Sequence, residues 1–171
     1  MSFKILAAQT TDAAELNILV NSAYRGDSSR QGWTTEADLI DGTRTDATVI
    51  EDIINTPRHT ILKYVEEGKI LGCVELHAEN EKLYLGMLTV LPNLQGQGIG
   101  KELMKAAEQE AKKQNCKSIF MTVISVRTEL IDWYVRHGYL HTGERKPFAF
   151  SDHRFGQPKK KLEFVVLEKI I

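Results

Sequence analysis

Apolar and polar positions follow two rhythms along this chain, and the switches between them outline its elements. Phe3 to Ala7 alternates as a short strand. Asp12 with Glu15 three residues on reads as a capping box, and Leu16, Leu19, Val20, Ala23 and Tyr24 follow at helical spacing. The pattern breaks between Arg25 and Arg44 into polar, glycine-punctuated sequence, a length that points to function or mobility in so small a chain. A second helix is predicted over Asp46 to Asn55, with Ile50, Ile53 and Ile54 inward and Pro57 ending it. Three alternating runs follow, His59 to Glu66, Lys69 to Ala78 and Leu83 to Val90. The turns between them are short, which predicts an antiparallel meander.

The second half alternates helix and strand. A helix is predicted from Gly98 to Gln114 with Ile99, Leu103, Ala107 and Ala111 on one face, then a strand from Ser118 to Val123. A helix from Thr128 to His137 stops at Gly138, and strands follow over Tyr139 to Glu144 and Leu162 to Lys169, with a long loop from Arg145 to Lys161. With no repeat or linker in view, the expectation is a single α/β (α+β) domain over 1–171, one sheet with helices on its faces.

Composition narrows the function classes. Twenty-two Lys and Arg against 23 Asp and Glu leave a net charge of −1, which argues against a general grip on nucleic acid or on an anionic membrane. The two cysteines, Cys73 and Cys116, sit in apolar contexts without metal or redox spacing and read as buried structural thiols. No apolar run approaches the ~20 residues of a membrane span. The N-terminus reads as a strand and not a signal peptide, so a cytoplasmic protein is expected.

One segment carries chemistry: Gln95-Gly96-Gln97-Gly98-Ile99-Gly100-Lys101, between a strand and an amphipathic helix. Glycines let the backbone approach a ligand, and a helix start presents free N–H groups with partial positive charge. That combination binds anions, most naturally phosphate. A nucleotide P-loop is excluded because Gln95 stands where its first glycine belongs and Glu102 where its hydroxyl belongs. The dinucleotide fingerprint fails on spacing, and the preceding strands look antiparallel.

Gln95, Gly98 and Gly100 do fit Gln/Arg-x-x-Gly-x-Gly/Ala, preceded by Leu88-Thr89-Val90-Leu91-Pro92, and Trp133-Tyr134-Val135-Arg136-His137-Gly138-Tyr139 fits aromatic-Tyr-x-x-x-Gly-aromatic. In these segments and in its order of elements the chain resembles the GNAT superfamily of acyl-CoA-dependent N-acyltransferases. The resemblance implies a mixed, mostly antiparallel sheet of about seven strands flanked by about four helices. It implies that Gln95, Gly96, Gln97, Gly98, Ile99, Gly100 and Lys101 hold the pyrophosphate of acetyl-CoA, and that the backbone of Leu88, Thr89 and Val90 pairs with its pantetheine arm. It further implies direct acetyl transfer to an amine, with Tyr134 as the acid for the departing thiolate. Where some members of the family carry Asn at the start of the second of these helices, this chain has Arg127.

Two matters stay open at this level. Glu75 is the candidate general base, but a mid-strand carboxylate beside Cys73 and His77 fits a buried or a solvated face, and backbone-relayed water would serve instead. Around the acceptor, Glu36, Asp38 and Asp41 suit a cationic amine, whereas Arg30, Arg44, Arg145 and Arg154 suit a carboxylate or phosphate. Trp33 and Phe148 are candidate pocket walls, and Lys159-Lys160-Lys161 reads as a solvated strand start. The expectation is an acetyl-CoA-dependent N-acetyltransferase acting on a small primary amine, a monomer or homodimer without metal. A non-catalytic acyl-CoA-binding sensor on the same fold is the alternative.

Overall fold

The computed structural model describes residues 2–24, 40–41, 44–147, 157–158 and 162–171. Strand β1 (Phe3–Ala7) leads through a 3-10 turn into helix α1 (Ala13–Tyr24), and helix α2 (Ala47–Asn55) follows a short strand β2 (Ile40–Asp41). The meander is β3 (His59–Glu66), β4 (Lys69–Glu79) and β5 (Lys82–Val90). Then come α3 (Ile99–Lys113), β6 (Ser118–Ile124), α4 (Thr128–Arg136), β7 (Leu140–Pro147), β8 (Gln157–Pro158) and β9 (Glu163–Ile170). The element order agrees with the sequence expectation, with two short additions. The stretches expected to be irregular contain β2 and β8, which pair antiparallel with each other.

The capping expectation for α1 is corrected. Asp12 closes a turn by accepting from the Gln9 N–H at 2.8 Å, while Glu15 reaches across to accept from the Ile70 N–H at 2.8 Å. Glu15 therefore ties α1 to β4 and caps nothing. At α2 the cap is the expected one, with Asp46 Oδ1 accepting from the Val49 N–H at 2.9 Å.

Seven strands form one sheet in the order β1-β3-β4-β5-β6-β9-β7, antiparallel except for β5 and β6. Helices cover both faces. Leu16, Leu19 and Val20 of α1 and Ile50 of α2 pack with Ile61, Cys73 and Met87. Leu103 and Ala107 of α3 and Ile131 of α4 pack on the other face with Val74, Leu76 and Ile119. Both cysteines are buried, and burial pushes the Cys73 thiol up to about 12, so neither is a nucleophile at neutral pH.

The sheet opens where β5 and β6 meet. Their parallel pairing covers only Lys82↔Ser118, Leu83↔Ile119 and Tyr84↔Phe120. On its other side β5 shifts register against β4 between Cys73 and Glu75, with Met87 in the left-handed region at φ +51°. Such a bulge bends its strand. Thr89 Oγ1 steadies the distortion by donating to Met87 O at 2.9 Å. Gly72 permits the contact that braces β5 from behind, because a Cβ there would stand 2.8 Å from Thr89 O. Among the described residues, the half of β5 beyond Tyr84 thus has no strand partner on one edge.

Candidate active site

Two adjacent cavities occupy the opening between β5 and β6. The first has a volume of about 270 Å³ and joins segments far apart in sequence: Leu88, Thr89 and Val90 of β5, the Gln95–Lys101 turn, and Trp133 and Tyr134 of α4. The second, about 180 Å³, lies against Tyr84 and Gly86 of β5 and Thr122 of β6. Five residues wall both: Tyr24, Leu88, Arg127, Leu130 and Tyr134.

The turn at the mouth of the first cavity has the geometry of an anion cradle. Gly96 and Gly98 stand at φ +84° and +90°, a conformation glycine adopts without steric cost, and a Cβ at either would meet nothing within 4 Å. Gly98 is the N-cap of α3 and supplies no side chain to it, so the first-turn N–H groups are presented to a ligand. Lys101 stands in the same wall. At Gly100 a Cβ would lie 3.5 Å from the Trp133 ring, an ordinary contact distance that shows how near the two motifs pass.

The individual residues divide into those that face the cavity and those that shape it. Gln95 does both, lining the first cavity and donating from Nε2 to Val90 O at 3.2 Å, which ties the turn to the end of β5. Ile99 turns its side chain into the core, leaving only its backbone to the site, and Gln97 is exposed outside both linings. His137 closes the wall near Trp133, whose carbonyl its Nδ1 meets at 2.7 Å.

Tyr134 sits where the two cavities meet and is 5% exposed. Burial raises its phenol well above the ordinary tyrosine range, partly opposed by the Arg127 charge, so it holds its proton throughout the neutral range. Tyr24 donates to Leu88 O at 2.9 Å and anchors the end of α1 to the bulged strand.

Glu75 lies on the buried side of the choice left open by its sequence position. Its side chain is 15% exposed, and desolvation raises its pKa against the opposing pull of Arg44 and His59. His59 and His77 pair across β3 and β4, and each turns its Nδ1 to 3.9 Å from Glu75 Oε1. Both nitrogens are buried without a hydrogen-bond partner. The imidazoles stack 4.2 Å apart with 22° between their planes. A single ion cannot lie in both ring planes of such a stack, so the cluster is poorly shaped for a metal. Glu75 walls neither cavity among the described residues. It stands opposite Gly86, over which the Tyr84 ring lies.

Of the acceptor candidates, Arg44 reaches the second cavity, whereas Arg145 is exposed and ion-paired with Glu163. Arg30, Trp33, Glu36, Asp38, Phe148, Arg154, Lys159 to Lys161 and the side chain of Asp41 lie outside the described residues. Sequence reasoning missed Tyr84 and His59, because a cross-strand pair has no local signature before the register is known. Tyr24 was legible only as a stripe residue.

Residues 29–139 match the family model of the acetyltransferase (GNAT) family. An amino-acid acetyltransferase of Ralstonia nicotianae is 34% identical over 77 residues, which make up 44% of this chain and 16% of that protein, so the matched stretch spans only a small part of the relative's length. The ribosomal-protein-S18-alanine N-acetyltransferase of Escherichia coli superposes with a TM-score of 0.73 at 13% identity, over 99% of this chain and 94% of that one. The PaiA N-acetyltransferase of Thermoplasma acidophilum, solved in complex with coenzyme A, gives 0.70 at 16% identity over 100% of both chains. No described helix is long and apolar enough to cross a membrane.

Proposed function

This chain belongs to the acetyltransferase (GNAT) family, and from that premise we propose that it transfers an acetyl group from acetyl-CoA directly to a small amine. The observation that carries the reading is the first cavity, in which a glycine-rich turn at a helix start, a strand edge that no described strand pairs, and a buried tyrosine face one another. The N–H groups of the Gln95–Lys101 turn hold the pyrophosphate, and the backbone of Leu88, Thr89 and Val90 receives the pantetheine arm as an added strand. A β5 amide beyond the bulge polarises the thioester carbonyl. The amine nitrogen attacks that carbon, the N–C bond forms and the C–S bond breaks. Tyr134 passes its proton to the departing thiolate and takes one back from solvent as CoA leaves.

The proton leaving the amine needs an acceptor. Glu75 takes it at second hand, through water beside the Tyr84 hydroxyl, and His59 and His77 stand ready to pass it on. Because burial raises the Glu75 pKa, kcat falls as pH drops through that raised value and the base is lost to protonation. Glu75→Gln should remove this acid limb and lower the plateau about 10²-fold. An acid limb that survives the substitution unchanged would belong to the amine itself and would exclude Glu75.

Thiol release from acetyl-CoA, followed across a panel of polyamines, amino acids, aminoglycosides and peptide N-termini, tests the activity. At least one amine should raise release far above the water background. Tight acetyl-CoA binding without amine-dependent release would instead assign the chain to the sensor class.

A further inference from the structure

Gly86 lies in the middle of β5, where a glycine loosens the strand. Its backbone is not in the left-handed region, so no local conformation requires glycine there. The requirement comes from Tyr84, two residues earlier and on the same face. A Cβ on Gly86 would stand 2.6 Å from Tyr84 Cε2, 2.7 Å from its hydroxyl oxygen and 2.9 Å from Cζ. The missing side chain is thus the seat of the Tyr84 ring, which lies along its own strand with the hydroxyl over Gly86. Cross-strand neighbours hold the ring, His77 at 4.7 Å with 33° between the planes and Phe120 edge-on at 5.5 Å.

The seat brings the phenol to the second cavity, which Tyr84 walls and Glu75 does not. Glu75 stands opposite Gly86 in the β4–β5 ladder, so its side chain leaves the sheet on the face where the Tyr84 ring lies. Two described side chains both wall this cavity and interact with the Glu75 carboxyl, Arg44 and Tyr84. A guanidinium keeps its protons at any working pH, whereas a phenol oxygen can accept one proton while releasing its own. Burial and the Glu75 charge hold the Tyr84 phenol protonated through the neutral range, against the pull of Arg44 and a Thr122 hydrogen bond. Tyr134 walls the same cavity from α4 and feels the Tyr84 phenol. Acetyl transfer to an amine needs two proton movements, and this cavity has two phenols.

We propose that Tyr84 is a second catalytic residue: its hydroxyl, seated by Gly86, receives the attacking amine and passes the amine proton toward Glu75. The inference rests on the acetyl-transfer reading of the site and on Glu75 as its base. As the N–C bond forms, an N–H bond of the amine breaks and that hydrogen arrives on the Tyr84 oxygen. The hydrogen the oxygen carried leaves through the adjoining water to the Glu75 carboxylate. Tyr84 ends as it began, and Glu75 holds the proton until solvent takes it. The described titratable and charged groups facing this pair are His59, His77, Arg44 and Tyr134.

The test compares Tyr84→Phe, Gly86→Ala, Glu75→Gln and their pairwise combinations by steady-state kinetics across pH, with the preferred amine of the panel. Tyr84→Phe should lower kcat about 10²-fold, as Glu75→Gln does, and should lose the acid limb, because ionisation of Glu75 no longer reaches the amine. The KM for acetyl-CoA should stay unchanged, since Tyr84 lines only the second cavity. Gly86→Ala should keep the wild-type melting temperature, because the displaced atoms are the far end of a side chain, yet lose activity as Tyr84→Phe does. In the Tyr84→Phe background, Gly86→Ala or Glu75→Gln should cost little more, the mark of groups that act as one. Wild-type kcat in Tyr84→Phe, or a loss that leaves the acid limb in place, would overturn the proposal and leave acetyl transfer standing. Losses from Tyr84→Phe and Glu75→Gln that multiply in the double variant would do the same. A wild-type protein that binds acetyl-CoA without amine-dependent release would sink the transfer reading and this one with it.

Discussion

Tyr134→Phe is expected to lower kcat about 10²-fold or more while leaving the affinity for acetyl-CoA within a factor of two or so, the pattern of a group that acts only in the transition state. The substitution removes one oxygen and keeps the ring. Tyr134 meets Trp133 and Tyr139 edge to face, with centroids 5.3 and 5.9 Å away, and phenylalanine preserves both contacts. Folding stability should therefore change little. Tyr134 lines both cavities, between which the departing sulfur and the arriving amine would meet. Burial keeps it protonated, so a proton is in place without input from solvent. Steady-state kinetics with the preferred amine, beside calorimetric titration of acetyl-CoA, separates the two effects. Wild-type kcat in the variant would remove Tyr134 from the chemistry.

Gly98→Asp is expected to act on the other half of the reaction. At φ +90° a residue with a Cβ is disfavoured by roughly 1–2 kcal/mol, but Asp tolerates this region better than most and its Cβ would meet nothing within 4 Å. The fold should therefore persist. The new carboxylate, however, would stand at the N-cap of α3, among the N–H groups assigned to the pyrophosphate. It would compete for those donors and repel the incoming phosphates, an effect of about 4 kcal/mol per charge pair at 4 Å before screening. An acetyl-CoA Kd at least a hundredfold weaker is the expected result, with the melting temperature of the free protein nearly unchanged. Gly98→Ala provides the control, since it adds the strain without the charge and should weaken binding far less. Equal losses in the two variants would show that the turn acts through its shape alone and would remove the anion from the account.

Much of this architecture is legible in local pattern, and the exceptions have local causes. The stripe Ile99, Leu103, Ala107 and Ala111 announces α3 because helical periodicity depends only on neighbours within the same turn or two. The Gln95–Lys101 turn is legible for the same reason: glycines in left-handed conformations leave their mark in the residues themselves. Asp12 and Glu15 mislead because a carboxylate one turn into a helix can serve its own N-terminus or a neighbouring strand. The Glu15 bond to Ile70 spans 55 residues, a choice that local pattern cannot make. The His59–His77 stack is likewise invisible until register places the two rings opposite each other.

The sequence by itself determined all the elements but the short β2 and β8, the glycine-rich turn, the tyrosine in the second motif and the class of co-substrate those motifs imply. Each rests on chemistry confined to a short run of residues. The tertiary structure decided what no run could contain. The β5 bulge and the brief β5–β6 pairing accompany the cavities, and Glu75 is half-buried opposite Gly86. Arg44, from the approach to α2, and Arg127, from the start of α4, meet around Tyr24 at the end of α1. A net charge of −1 is an average over the whole surface, whereas the field inside a cavity depends on the few side chains that reach it. Only folding selects those side chains.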